Sequence, residues 1–371
     1  MERVSPSLIN EELQRATPTP AQRLNVIEQA ISRRVEAEYK DDIIAHMATM
    51  QQQTLPEASM MDLQPELEWH MRPYLLDFIV ETHVTLRLQP QTLFLAINLI
   101  DRYCSKRVVY KKHYQLVGCT CLWIAAKYED KKSRVPTISD LKHMCCGAYE
   151  EDMFCQMEGH VLNTLEWTVG HPTTDSYLDL FLGPESQQVT QTIRHVSRYL
   201  CEIALYPRTF FSFAPSLVAS CARTLAYHIL GIPCPNPNMH SSIYPSSAGG
   251  NSAEMHCLST LAQHMQQPSR AVQKKYSRQS YCNAAQIVQS FVSQAANSNP
   301  TAIPNPATPP PTLSAPHSPA SSIHTTFSEA STPSSAYFPI SQQNSPANVK
   351  QHFSPQVYSM SNLSNVSVNY R

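Results

Sequence analysis

Glycine is scarce in this sequence, which has only 8 glycines among its 371 residues, and they are widely scattered. The sequence therefore offers no glycine-rich loop of the kind that binds phosphates. It also has neither a His-Glu-x-x-His zinc motif nor the Gly-x-Ser-x-Gly motif of serine hydrolases. Because these catalytic motifs are missing, we predict a protein that is not an enzyme.

Long hydrophobic runs and an excess of charge are also missing. No apolar run approaches the roughly 20 residues that a membrane-spanning helix needs. The formal net charge is -1, which gives no general attraction to nucleic acid or to anionic membranes. The first residues lack the apolar core of a signal peptide. We therefore expect a soluble intracellular chain whose partners are neither nucleic acids nor membranes.

The 11 cysteines lack the regular spacing of a disulfide framework, and their number is odd. Two close pairs, Cys119-x-Cys121 and Cys145-Cys146, do not have the C-x2-C spacing of a zinc site, and the nearby His143 does not complete one. Several cysteines lie inside apolar runs. We interpret them as reduced core residues, and we predict no metal and no cofactor.

Helical periodicity is abundant, and its centre is the stretch 114–129. This stretch is apolar on nearly all sides, so the helix that it forms must be buried. Small residues such as Gly118, Cys119 and Ala125 would let neighbouring helices approach closely. Lys127 marks the end at which this helix reaches solvent or a partner.

Helical patterns lie on both sides of this stretch, and no convincing strand accompanies them. Five occur between 69 and 165, and a second group follows His171-Pro172, where proline disfavours helix in the residue before it. The stretches 117–127 and 217–227, which are both rich in small residues, indicate an internal repeat. We predict an all-α protein of two tandem five-helix domains, with a preceding helix and disordered flanks.

The predicted boundaries follow these patterns. In chain order, we expect a flexible arm over 1–31, an N-terminal helix and linker over 32–68, a first helical domain over 69–168, a second over 172–293 and a disordered tail over 297–371. The tail holds 12 of the 29 prolines and almost no charge, so it cannot form a packed core.

Five residues of the tail directly precede a proline and are candidates for phosphorylation by proline-directed kinases: Thr308, Ser318, Thr332, Ser345 and Ser354. Phosphates there would add charge to a nearly uncharged segment. A linker with chance Ser-Pro pairs is an equal alternative.

Two pairs of opposite charge accompany apolar helical faces. Arg72 and Asp101 adjoin expected core residues, where an unpaired charge is costly, so we predict a buried ion pair. The alternative is that both reach solvent. Lys127 and Glu158 would flank an apolar surface and orient a partner helix, although a solvated lysine or glutamate is commoner.

Five short motifs occur in order along the chain: Met71-Arg-Pro-Tyr-Leu-Leu-Asp-Phe-Ile-Val-Glu81, Asn98-Leu-Ile-Asp-Arg-Tyr103, Gln115-Leu-Val-Gly118, Ala126-Lys-Tyr-Glu129 and Met157-Glu158. Together with their spacing, they resemble the cyclin box. The resemblance covers 35–230 well and 250–293 loosely. It implies two tandem cyclin folds that bind a cyclin-dependent protein kinase and activate it, while the catalysis belongs to the kinase.

The resemblance also implies roles for single residues. Lys127 and Glu158 resemble the pair that grips the mobile helix of the kinase, next to the apolar surface around Ile124 and Leu162. Tyr227 stands at the repeat position of Lys127, which fits a grip by the first domain only.

Two further groups are implied in the same way. Arg72 with Asp101 resembles the ion pair that braces the cyclin box. Cyclins also have a docking patch that captures short substrate or inhibitor motifs, and these motifs carry an arginine and a leucine. Five residues of this sequence resemble that patch: Met71, Leu75, Phe78, Glu81 and Gln115. Phe78 replaces the tryptophan that is usual in that patch.

Within the family, Tyr103-Cys-Ser-Lys-Arg-Val-Val-Tyr-Lys-Lys112 and the tail resemble fungal G1 or G1/S cyclins, which implies a nuclear and cytoplasmic protein that promotes the G1/S transition. Thr308-Pro-Pro-Pro-Thr312 resembles a phosphodegron that a ubiquitin ligase reads. Two alternatives stay open. One is a cyclin-fold transcription module, which serves a transcriptional kinase or binds DNA as a general factor, and the other is a phosphate-response or morphogenesis cyclin.

Overall fold

The structure is a computed structural model that describes residues 20–183, 190–236 and 250–297. Every regular element in these ranges is helical, which confirms the all-α prediction. None of the described helices is both long and apolar enough to cross a lipid bilayer. The predicted sites in the tail lie outside the described residues.

The first domain contains the five predicted helices. They are α4 (Arg72–Thr85), α5 (Pro90–Lys106), α6 (Tyr114–Glu129), α7 (Ile138–Met144) and α8 (Glu151–Thr164). Helix α6 is buried over most of its length, as expected from its composition. A Cβ on Gly118 would lie only 2.8 Å from Cδ1 of Leu75, so this glycine allows α4 to pack directly on α6.

The second domain contains six α-helices among its described residues, one more than predicted. They are α9 (Thr174–Leu182), α10 (Gln191–Ala204), α11 (Pro215–Ile229), α12 (Gly250–His264), α13 (Arg270–Tyr276) and α14 (Ala284–Asn297). The additional helix is α13. It is only seven residues long and ends in two lysines and a tyrosine, so the sequence shows no full period of apolar residues there.

Three helices precede the first domain: α1 (Pro20–Glu38), α2 (Lys40–Gln53) and α3 (Ala58–Met61). The expected arm over 1–31 is therefore helical from Pro20 onward, and the helix expected over 32–50 is interrupted at Tyr39. Proline suits the first turn of a helix, which explains the earlier start. Along α1, Leu24, Ile27 and Ile31 are exposed.

A buried ion pair joins the two domains. The guanidinium of Arg72 donates two hydrogen bonds to the carboxylate of Asp101, from Nε to Oδ1 at 2.8 Å and from Nη2 to Oδ2 at 2.7 Å. Its Nη1 donates to the carbonyl oxygens of Leu205 at 2.6 Å and Tyr206 at 3.2 Å, at the end of α10. Arg72 thus links α4, α5 and the second domain through one side chain.

The end of α2 is fastened to the same junction. The Thr54 hydroxyl lies 2.6 Å from Nδ1 of His171, in the linker between the domains, and the Thr54 carbonyl accepts from Asn98 at 3.0 Å. The buried Gln51 side chain accepts from the backbone N–H of Ser216, in the first turn of α11. Because α2 contacts both domains, the N-terminal segment helps to fix their relative position.

Replacing Asp101 by alanine should destabilise the chain by about 3 to 5 kcal/mol, because it leaves the Arg72 guanidinium buried without a counter-ion. Urea unfolding of the purified chain measures this loss. Lys142→Ala is the matched control, since its partner Glu150 is exposed and the pair lies on the surface, and it should leave the unfolding midpoint nearly unchanged. Equal midpoints for the two variants would contradict the bracing role.

Acid should weaken the fold through two buried histidines. Burial, together with Lys275, lowers the pKa of His83 from 6.5 to about 3, and burial, together with Arg102, lowers the pKa of His171 to about 3. Below pH 6.5 the unfolded chain therefore binds protons that the folded chain does not bind. The free energy of unfolding that these histidines contribute is fully present above about pH 6.5 and decreases as the pH drops toward 3. At pH 5 the loss is about 2 kcal/mol per histidine.

Urea unfolding at neutral pH and near pH 5 tests this. His171→Gln should show a smaller loss on acidification than the wild-type chain, whereas the exposed His70→Gln should behave like the wild type. If the three chains lose equal stability, His171 does not stay neutral in the folded state.

Candidate functional site

The site is built around an ion pair between the end of α6 and the middle of α8. Nζ of Lys127 lies 2.6 Å from Oε1 of Glu158, and the two side chains are 37% and 21% exposed. The lysine is in the last turn of α6, where the helix dipole favours a cation. The predicted pair is therefore assembled within the chain and open to solvent on one side.

The indole ring of Trp123 supports the side chain of Lys127. The Lys127 ammonium lies 3.2 Å from the centroid of the indole ring, a cation–π contact. The indole Nε1 donates to the carbonyl of Pro136 at 3.0 Å, and the ring packs in a small core cluster with Leu141 and Phe154. Because its aromatic support is buried and hydrogen-bonded, the charged end of Lys127 has little freedom.

The apolar part of the site differs from the prediction. Ile124, which was expected at the surface, is only 4% exposed and belongs to the main core, because α6 turns this face inward. Leu162 is partly buried against the same core. The exposed apolar area comes instead from Tyr128 and Trp167, whose side chains are 59% and 67% exposed.

Both aromatic residues lie at the ends of the helices that carry the ion pair, since Tyr128 follows Lys127 on α6 and Trp167 comes three residues after the end of α8. The backbone N–H of Trp167 donates to the Leu162 carbonyl at 2.9 Å, one turn after Glu158. Trp167 has φ +58°, an unfavourable value for a bulky residue, and its indole donates to Asn163 at 3.2 Å. A Cβ on Gly170 would lie 2.7 Å from the Tyr128 hydroxyl, so the loop after Trp167 lies against Tyr128.

Neither aromatic residue was predicted as part of the site. Each is a single large side chain next to charged neighbours, and the repeat pattern does not distinguish an exposed ring from a core ring. We call the group formed by Lys127, Tyr128, Glu158, Leu162 and Trp167 the α6–α8 surface.

The predicted docking patch lies on α4, on the turn before it and on the first turn of α6, and it is only partly at the surface. Phe78 is partly buried, Glu81 is exposed, and the patch also includes the partly buried Met71 and Gln115. Leu75 is buried against Gly118, so its expected role at the surface is wrong. The missed member is Tyr74, which is 60% exposed and shares one helical face with Phe78 and Glu81.

The cysteines are unpaired thiols, and seven of the eleven are buried. Burial raises the pKa of Cys104 and Cys121 far above the ordinary range, so these thiols are poor nucleophiles. In the part of the chain that the structure describes, no group of three or more His, Cys, Asp or Glu side chains could hold a metal ion. Cys119, Cys121 and Cys145 are buried in the packing around α6, whereas Cys146 is exposed.

Two family models match consecutive parts of the chain. The model described as "Cyclin, N-terminal domain" matches residues 42–170, and the one described as "Cyclin, C-terminal domain" matches residues 172–290. A solved viral cyclin from herpesvirus saimiri superposes with a TM-score of 0.53 at 17% identity, over 60% of this chain and 96% of that one. This last likeness concerns the fold alone.

Curated fungal proteins are also similar in sequence. The chain is 47% identical over 215 residues to the G1/S-specific cyclin CCN1 of Candida albicans (strain SC5314 / ATCC MYA-2876), a match that covers 53% of this chain and 31% of that protein. It is 48% identical over 141 residues to Cyclin puc1 of Schizosaccharomyces pombe (strain 972 / ATCC 24843), covering 38% and 39%. The matches thus span well under half the length of these relatives.

Proposed function

The chain belongs to the cyclin family, and from this we propose that it is a non-catalytic subunit that binds a cyclin-dependent protein kinase through the α6–α8 surface and activates it. The observation that carries the proposal is the partly exposed Lys127–Glu158 pair, whose lysine contacts the buried indole of Trp123. Both charges are positioned by contacts within the chain.

The chemistry of the surface fits a helix as its partner. The α6–α8 surface offers a cation and an anion side by side, together with the exposed rings of Tyr128 and Trp167. Exposed aromatic rings supply apolar contact area at low entropic cost, and central charges fix orientation. A kinase helix held there could keep the kinase's catalytic Lys-Glu pair in its active arrangement, as the family resemblance implies.

The finer assignments belong to the same proposal. The names of CCN1 and of the Candida albicans CLN3, which is 37% identical over 209 residues, support a role at the G1/S transition. We further propose substrate or inhibitor docking on the α4 face, location in nucleus and cytoplasm, and turnover through a ubiquitin ligase that reads the phosphorylated tail. The last of these concerns residues outside the described ranges.

A DNA-reading module is the less well supported alternative. It needs a continuous basic face, and the sequence offers only the short stretches 106–112 and 131–134. In the first of them, Lys106 lies 3.8 Å from the carboxylate of Glu166, which reduces its attraction for phosphates. Binding to duplex DNA at physiological salt, without a kinase, would favour this alternative.

The double variant Lys127→Ala, Glu158→Ala should abolish kinase activation, because it removes both orienting charges. The test is phosphorylation of histone by a co-expressed cell-cycle kinase, together with co-purification of the kinase. The Lys142→Ala, Glu150→Ala double variant removes another exposed ion pair and should activate normally. Normal activation by the first variant would show that the α6–α8 surface is wrongly assigned.

Trp167→Ala should weaken kinase binding by about 2 kcal/mol, or roughly thirtyfold in Kd, because exposed tryptophans that become buried are frequent hot spots of interfaces. Calorimetric titration with the kinase measures the change. Tyr74→Ala is the matched control, since it removes an aromatic ring of similar exposure from α4. A Kd that shifts equally in both variants would argue against a specific role for Trp167.

A further inference from the structure

A cavity of about 100 Å³ lies at the junction of the two domains. Phe94 and Ile97 of α5 line its first-domain side, and Phe210, Phe213 and Val218 line its second-domain side. An apolar cavity of about 150 Å³ holds a benzene ring. The junction cavity is smaller but open at its rim, so it has room for a single six-membered ring. None of the residues that line it belongs to the α6–α8 surface.

Buried and charged neighbours hold the walls of the junction cavity in place. Arg72 and Asp101, the ion pair that joins the domains, both line it. The guanidinium carbon of Arg72 lies 5.0 Å from the ring centroid of Phe211, which is also a lining residue. Among the described residues that line the cavity, Leu55 alone is exposed, and it marks the opening. The cavity is therefore preformed, and binding requires little ordering of the protein.

His171 supplies the junction cavity with a hydrogen-bond acceptor. Its Nδ1 lies 2.6 Å from the Thr54 hydroxyl, which donates its only hydrogen to the carbonyl of Met50 at 2.5 Å. Nδ1 is therefore the donor in the contact with Thr54. Because burial and Arg102 lower the pKa of His171 to about 3, the ring is neutral and carries its lone pair on Nε2. This nitrogen has no partner among the described residues and is not sealed from solvent.

We propose that the junction cavity binds a free phenol, whose ring fills the apolar space and whose hydroxyl donates to Nε2 of His171. Phenylalanine side chains pack well against another aromatic ring, edge to face or offset. A ring without a donor would leave Nε2 unpaired, and a ring with a carboxylate would bring a second acceptor against it. Because both domains line the cavity, a phenol binds only when they are joined, so it stabilises their arrangement. This inference does not depend on the kinase partner of the proposed function.

The test titrates the full chain with 4-fluorophenol and, as the matched ligand without a donor, with 4-fluorotoluene. Fluorine NMR gives each Kd. The wild-type chain should bind 4-fluorophenol in a saturable way, with a Kd of about 1 mM for so small a ligand. In His171→Phe the ratio of the two Kd values should shift about tenfold against the phenol, because its hydroxyl is then buried without an acceptor. Absence of saturable binding to the wild-type chain, or the same ratio in both chains, would overturn the inference.

Three controls complete this experiment. His70→Phe changes an exposed histidine and should leave the ratio unchanged. Ala204→Leu fills the cavity from α10 and should abolish binding of both ligands, and 4-fluorophenol should raise the unfolding temperature of the wild-type chain but not of this variant. If Ala204→Leu does not fold, the ratio in His171→Phe still decides.

A tyrosine side chain carries the same phenol ring, so the source of the ligand needs its own comparison. The chain should bind 4-methylphenol more tightly than N-acetyltyrosine amide, because the cavity has room for the ring alone. Tighter binding of the amide would show that the ring arrives on a polypeptide, and the assignment of a free phenol would then be wrong.

Discussion

The bidentate contact between Arg72 and Asp101 is the constraint on which the arrangement of both domains depends. A guanidinium removed from water must satisfy its donors inside the protein, and this one does so with a carboxylate of its own domain and two carbonyls of the second. The charge therefore has only one low-energy environment. Two helical domains that could otherwise move against each other are held at one spacing.

The same logic operates on a smaller scale at the α6–α8 surface. Lys127 is paired with Glu158 and supported by Trp123, and Trp123 is itself held by the Pro136 carbonyl. Each group is positioned by a neighbour that is more deeply buried. Charged side chains fixed in this way lose little entropy when a partner binds, which suits a surface whose task is to orient another protein.

Much of the helical fold and both charged pairs could be predicted from the sequence, because the strongest sequence patterns belong to the core. A helix that is apolar on nearly all sides, as α6 is, must be buried. Charged residues next to apolar stretches predicted the partners of Arg72 and Lys127. The direction of individual side chains could not be predicted in the same way. Leu75 and Ile124 turned inward because Gly118 and the main core receive them.

The contacts between segments that are distant in the chain could not be predicted from the sequence either. Lys274 meets Glu81 across nearly two hundred positions, and no local period predicts such a neighbour. Trp167 is likewise exposed because of a left-handed backbone turn that follows α8. In both cases the tertiary fold determines where the side chain lies, and the short segment that carries it has no sequence pattern that predicts this position.

The five-residue segment from Trp167 to His171 connects two tasks that are usually separate. Its first residue is exposed after the end of α8, Gly170 lies against Tyr128, and its last residue contacts Thr54 at the junction of the domains. A substitution at one end of this segment can therefore also affect the contacts at its other end. A mutation that improves recognition of a new partner is filtered at the same time for its effect on assembly, which should slow divergence of this segment relative to other surface loops.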